Sequence, residues 1–299
     1  MSENKSESKN HAPRKFQTLR IIAKSKRSTA GFIITAFFIL MATIGVEITP
    51  LDLSKFNLAE SYLPPSWEHP LGTDYFGRDI WAMIIHGSRD VLLVGSLAAL
   101  ITITIGVAYG AFSGFIGGKA DMTLMSIVDI VLTIPNFPLL IVLAAVIKQA
   151  TNPLIMAAIL SVTAWAGVAR AIRSQVLSLR QRGFIEAAIC LGMSKRHIVF
   201  NEIMPNLMPY IVVSFIMSMI GAIYAQVGLF TLGLAPYSTV NWGMMLNMAM
   251  QHAGFGGAVF AVKHGNILAP VLAITLLDVG LIMLSGAVEE IFNPRLREE

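Results

Sequence analysis

Cysteine and charge are both scarce in this sequence. The one thiol, Cys190, leaves no internal disulfide and no cysteine-built metal cluster. Charged residues make up 13% of the chain, about half the share usual in soluble domains, whereas 55% is hydrophobic. The short signatures of chemistry are missing too: no Gly-x-Ser-x-Gly, His-Glu-x-x-His or Gly-x-Gly-x-x-Gly occurs. Gly117-Gly118-Lys119 looks like part of a phosphate loop, but Ala120 stands where Ser or Thr is needed and no strand precedes it. It is read as a short turn. The chain therefore offers no catalytic residue, no metal site and no cofactor of its own. A net charge of +4 would suit a nucleic-acid binder, yet the basic residues form no stripe interleaved with aromatics. They flank apolar runs, so nucleic acid is not an expected partner.

Apolar runs of about 20 residues, enough to cross a bilayer, explain the missing charge. Six stand out, at about 29–49, 90–113, 122–147, 153–172, 207–233 and 267–288. The first 28 residues are long, polar and basic, unlike a cleaved signal, and part of that cluster suits anionic lipid. With the N-terminus inside, 17 of the 22 Lys and Arg lie in cytoplasmic segments and five, Lys55, Arg78, Arg89, Lys148 and Lys263, lie outside. The expected fold is an all-α integral membrane protein with six transmembrane helices and both termini cytoplasmic. Its parts are a basic tail (1–28), a first transmembrane helix (29–49) and an extracytoplasmic segment (50–89). A five-helix core (90–290), carrying a cytoplasmic loop at 173–206, and a second tail (291–299) follow.

Within the second run, Gly106, Gly110 and Gly114 fall four apart on one helix face. Such a row allows close backbone approach, either inside this subunit or with another one; glycine is also simply common in membrane helices. Ionisable groups inside the runs are few: Glu47, Asp129 and Asp278, with Arg170 at an end. Each should face protein or water. No basic partner is evident at mid-span, which makes them a poor proton relay. Pro135 and Pro138 are expected to bend the third run.

The most informative polar stretch is 170–206. Glu186-Ala187-Ala188 opens a short helix, Gly192 suits the left-handed residue that ends it, and a second helical stretch at about 194–203 stops before Pro205. This pattern, completed by Ile203-Met204-Pro205, resembles the EAA loop of permeases of ABC importers. His69-Pro70-Leu71-Gly72-Thr73-Asp74 and Phe76-Gly77-Arg78-Asp79 are similar to the stretch after the first span in the dipeptide/oligopeptide/nickel branch, in its second (C-type) permease. Ser126 to Pro135, Trp165 with Arg170 and Arg173, Leu232-Gly233-Leu234, Asn241-Trp242-Gly243 and Asn293-Pro294-Arg295 continue the match in order.

The resemblance implies half of a translocation pathway for peptides or a related solute such as oligosaccharides, in the cytoplasmic (inner) membrane of a bacterium or archaeon. It implies a homologous second permease, one or two cytoplasmic ATPase subunits that hold ATP and Mg, and an extracytoplasmic solute-binding protein. It also implies that Glu186, Ala187, Ala188, Gly192, Ile203 and Pro205 transmit motion from the ATPase. Residues that bind solute are not indicated. The chain departs from the family at Met204-Pro205, at Ser285-Gly286 and in the loop 250–266. The segment 50–89, with Leu63-Pro64-Pro65, Trp67 and a possible surface helix near 78–88, fits a binding-protein contact or packing on the membrane surface. An ion-coupled secondary transporter is the competing class, but it would need an ion path and often an internal repeat.

Overall fold

The computed structural model describes residues 25–53, 57–146, 152–234, 240–252 and 264–292. Most of the first tail, the last tail with Asn293-Pro294-Arg295, and much of the 250–266 loop lie outside the described residues, as do Lys55, Lys148 and Lys263. Among the described residues every regular element is a helix, apart from a β-bridge between Thr73 and Asp79. Four helices are long and apolar enough to cross a bilayer, or six if each of two sharply bent pairs makes one span.

Helix α1 (Lys26–Ile48) starts at Ser25, whose side chain accepts from the Ser28 amide, and passes through one wide π turn at Met41–Gly45. It runs antiparallel to the last helix, α10 (His264–Phe292). Gly31 sits against the Met283 and Leu284 backbone, Gly280 sits against Ile34, and the Ser28 hydroxyl donates to Glu290 at 2.9 Å. The start of α1 and the end of α10 are therefore at the same end of the bundle.

Helix α2 (Ile80–Ile116) is the central post and packs against most other helices. Asp79 caps it by accepting from the amides of Trp81 and Ala82. At 1.5 Å per residue its 37 residues span about 55 Å, well beyond the bilayer core of about 30 Å. The surface helix expected near 78–88 is thus the first stretch of this continuous helix. His86, Arg89 and Asp90 lower the local hydropathy without interrupting the backbone ladder.

The third run is broken rather than bent. α3 (Gly118–Thr133) and α4 (Asn136–Val146) meet at 77° across Ile134-Pro135, because Pro135 has no amide to continue the ladder. The fourth run is also broken, which no proline announces: α5 (Pro153–Ser161) and α6 (Ala164–Arg180) meet at 55°. Helix α6 extends to Arg180, deep into the expected loop. Next come the short α7 (Gly183–Cys190) and then α8 (Lys195–Thr231). Pro205 does not end the helix before it. A π turn at Ile198–Ile203 widens the ladder just ahead of the proline, which then occupies the first α turn. Helix α9 (Trp242–His252) precedes α10.

Four clusters of buried residues form the core, the smallest joining α3 and α6 through Val128, Ala166 and Ala169. One joins α1, α2, α8, α9 and α10 around the fully buried Trp242; a second joins α2, α4, α5, α8 and α9; the third joins α2, α6, α7 and α8. The third anchors the short helix α7.

Candidate functional site

The short helix α7 is held from beneath. Ile185 and Ala188 are buried with Ile172, Val176, Ile198 and Ile203. Its end is a Schellman turn: the Met193 amide donates to the Ala188 carbonyl at 3.2 Å and the Gly192 amide to Ile189 at 3.0 Å. Gly192 has φ +71°, where any side chain is strained. Ser194 then caps α8 through the His197 amide.

The predicted loop residues divide into two groups. Glu186, Ala187, Gly192 and Pro205 are exposed, whereas Ala188 and Ile203 are packed inside this chain and anchor the element. Around Glu186 and Ala187 the surface is apolar: Phe184, Ile189, Met193 and Leu191, the last 76% exposed. Such a patch on a polar connector needs a cover.

Helix α6, which leads into α7, lies flush on α2 along the glycine row. A methyl placed on Gly110 would stand 2.3 Å from the Ala169 carbonyl oxygen; on Gly106 it would meet Val168 at 2.7 Å, and on Gly114 the Arg173 carbonyl oxygen at 3.1 Å. The row is thus engaged inside this subunit. Beside it, Asp121 of α3 accepts two bonds from Arg173, at 2.6 and 2.5 Å, and a third from the Ser113 hydroxyl of α2. Arg180 donates to the Gly114 carbonyl at 3.0 Å. Further along the same two helices, Arg170 of α6 bonds Asp129 of α3. Asp129 therefore has the basic partner that its own span does not contain. Asp121 carries no signal along the chain, since linear spacing does not bring residues 52 positions apart together.

The remaining ionisable groups are also placed. Glu47 pairs with Arg89 at 3.5 Å where α1 ends, and Asp278 is buried in α10 beside the Tyr224 hydroxyl. Asp90 on α2 accepts from Gln226 (2.8 Å) and Asn241 (2.7 Å), and Trp242 donates to the Ile84 carbonyl at 3.0 Å. The Asn241-Trp242-Gly243 motif thus ties α9 to α2 and α8.

The segment before α2 is a compact knot. Asp74 accepts from Arg78 Nε (2.8 Å) and Nη2 (2.5 Å) and from the amides of Phe76 and Arg78. Tyr75 stacks on His252 at 4.0 Å, and burial next to the Asp74 carboxylate raises the Tyr62 pKa. His69 closes a turn through its carbonyl and through Asp79 at 3.3 Å, leaving Trp67 at the tip fully exposed.

Residues 106–298 match the family described as binding-protein-dependent transport system inner membrane component. The chain is similar to the dipeptide transport system permease protein DppC of Bacillus subtilis, 32% identical over 281 residues, 93% of this chain and 85% of that protein. It is 35% identical over 222 residues to the oligopeptide transport system permease protein OppC of the same organism, covering 74% and 72% of the two chains. It is 34% identical over 227 residues to OppC of Haemophilus influenzae, covering 75% and 72%.

Proposed function

The chain belongs to the family of binding-protein-dependent transport system inner membrane components, and from that membership we propose that it forms one half of the solute pathway of a peptide importer. It spans the inner membrane six times, each broken pair counting as one span, with both termini cytoplasmic. A homologous permease forms the other half. One or two cytoplasmic ATPase subunits hold ATP and Mg, and an extracytoplasmic binding protein delivers the solute. Peptides are the first choice because the relatives are named for dipeptides and oligopeptides; related solutes such as oligosaccharides come second.

The observation that carries this reading is α7. It is a short helix with a buried underside, a rigid left-handed stop at Gly192 and an exposed face of Phe184, Glu186, Ala187, Ile189 and Leu191. That face suits a groove on the ATPase, with Glu186 pairing to a polar or basic group and the apolar side chains filling the groove. Motion of the groove would reach the spans through α6, only two residues away.

Gly192→Asp tests it. Among the described residues nothing lies within 4 Å of an added Cβ there, so the variant folds with a backbone strain of roughly 1–2 kcal/mol. In the assembled complex ATP hydrolysis persists, whereas uptake of the solute retained by the binding protein is lost. Undiminished uptake would remove this glycine from the coupling element.

A further inference from the structure

Three features of the membrane-spanning surface lie along α3, α4, α6 and α8. The first is the Asp129–Arg170 pair, whose side chains are 62% and 54% exposed. Asp129 lies eight residues beyond Asp121 on α3, about 12 Å further from the Ser113 level near the end of α2. Charge exposed at that depth is strongly disfavoured against hydrocarbon, so the pair faces water or protein.

The second feature is the pair of helix breaks. Residues 133–138, which carry the α3–α4 break, are all exposed. Interrupted backbone at membrane depth is tolerated only when buried in protein or lining a water-filled cavity. The two breaks also meet: the Thr163 hydroxyl donates to Asn136 Oδ1 at 2.7 Å.

The third is a groove of about 410 Å³ between α6 and α8, into which Asn136 projects. Its polar lining is Thr102, Asn136, Tyr210, Ser214 and Ser218, and among the described residues no Asp, Glu, Lys or Arg lines it. Gly167 and Gly221 leave its walls free of side chains, and neither glycine has an atom within 4 Å of an added Cβ.

We propose that this groove, lined by Asn136 and by the α6 residues Gly167 and Ala171 that flank Arg170 in sequence, is this chain's wall of a water-filled passage for uncharged or zwitterionic hydrogen-bonding solutes. The inference rests on the permease reading and locates the passage within it. Hydroxyls and an amide donate and accept equally well, so they exchange for a solute's own hydrogen bonds without fixing one sequence or register. The ion pair adds no net charge and therefore favours neither ion sign. An amide backbone with oppositely charged ends meets both conditions; a metal cation or a polyanion does not.

The test uses Ser218→Cys and Gly167→Cys, with Ile33→Cys and Leu272→Cys on exposed apolar faces as comparisons. Each is made in the complex purified with its second permease, ATPases and binding protein. Labelling by permanently charged methanethiosulfonates is followed by mass spectrometry at each position, with and without ATP and vanadate; Cys190 supplies the same background throughout. We expect Ser218→Cys and Gly167→Cys to react at least about tenfold faster than the comparison sites in one nucleotide state. Cationic and anionic reagents should agree within about threefold, each scaled to a free thiol, because the lining carries no net charge. Labelling in the isolated chain but in neither state of the complex would make this face a dry protein interface and overturn the passage. Rates equal to those at Ile33→Cys would do the same, and a strong preference for one reagent sign would overturn the neutral lining. A chain that purifies without ATPases would instead overturn the permease reading itself.

Discussion

Gly110→Ala adds one methyl group where α2 and α6 are closest. The new carbon would stand 2.3 Å from the Ala169 carbonyl oxygen, 3.1 Å from its carbon and 3.0 Å from Ile172 Cβ. Carbon–oxygen contacts settle near 3.3–3.6 Å, so α6 has to retreat by about 1 Å. The obstacle is backbone, which no rotamer change relieves. Overpacking of this kind costs about 1–3 kcal/mol, and lipid supplies no hydrophobic drive to press the helices back together. The row grades the effect. Gly106→Ala meets Val168 at 2.7 Å and should cost somewhat less, and Gly114→Ala, with its closest contact at 3.1 Å, least. Gly286→Ala has nothing within 4 Å and should gain the roughly 0.5–1 kcal/mol that alanine holds over glycine in a helix.

The assay is the apparent melting temperature of the purified complex, at about 2–4 °C per kcal/mol. The expected order of loss is Gly110, then Gly106, then Gly114, with Gly286→Ala unchanged or slightly higher. Because α6 runs into α7, Gly110→Ala should also weaken the stimulation of ATP hydrolysis by the binding protein. A Gly110→Ala complex as stable as wild type, or one less harmed than Gly114→Ala, refutes the α2–α6 contact.

Asp121→Ala leaves Arg173 without its carboxylate; with Arg173 about a third exposed the loss is about 1–3 kcal/mol, below that of a fully buried pair. The Asp121→Ala/Arg173→Ala double variant should be less unstable than the sum of the singles, and simple additivity in thermal unfolding would refute direct pairing. Trp242→Phe removes the indole bond to the Ile84 carbonyl, which keeps its place in the α2 ladder, and leaves space around a smaller buried ring; stability should fall by about 1–3 kcal/mol, measured as thermal unfolding, whereas an unchanged melting temperature would mean that neither the bond nor the larger ring stabilises the α2–α9 contact. Trp67→Ala removes a fully exposed ring, so stability should stay within about 0.5 kcal/mol of wild type while stimulation of ATP hydrolysis by the binding protein falls. Unaltered stimulation would assign the 57–79 knot to the membrane surface.

Much of this architecture can be read along the chain because each signal is local. Apolar length marks the spans, and Gly192 marks the stop of α7 through a conformation that only glycine adopts freely. The glycine row marks a close helix contact but not its partner, which turned out to be α6 of the same subunit. Pro135 marks a break whose 77° angle depends on the packing of α4. The α5–α6 break carries no proline or glycine at the junction, and Asp121 gains meaning only when α3 lies against α6. Both are products of tertiary structure, invisible to any window of consecutive residues.

A deeper reason concerns faces. In a soluble helix the exposed side is polar, so periodicity tells inside from outside. In lipid both sides are apolar: α10 buries Leu277 and Leu281 yet exposes Leu276 and Ile282 with equally greasy side chains. Hydrophobicity therefore locates a membrane helix without orienting it. What orients it are the residues that lipid disfavours, here one exposed ion pair, exposed broken backbone and a line of hydroxyls. Each alone has an ordinary structural explanation. Their common attachment to α6, which carries Arg170, Gly167 and, just ahead of its first turn, the Thr163 partner of Asn136, is what the proposed passage would explain. The same helix, α6, carries Arg170 and Gly167 on that face, lies locked to α2 through Ala169 and Arg173, and ends two residues before α7. In the proposed reading, the position of α7 and the shape of the groove are thus both set by α6.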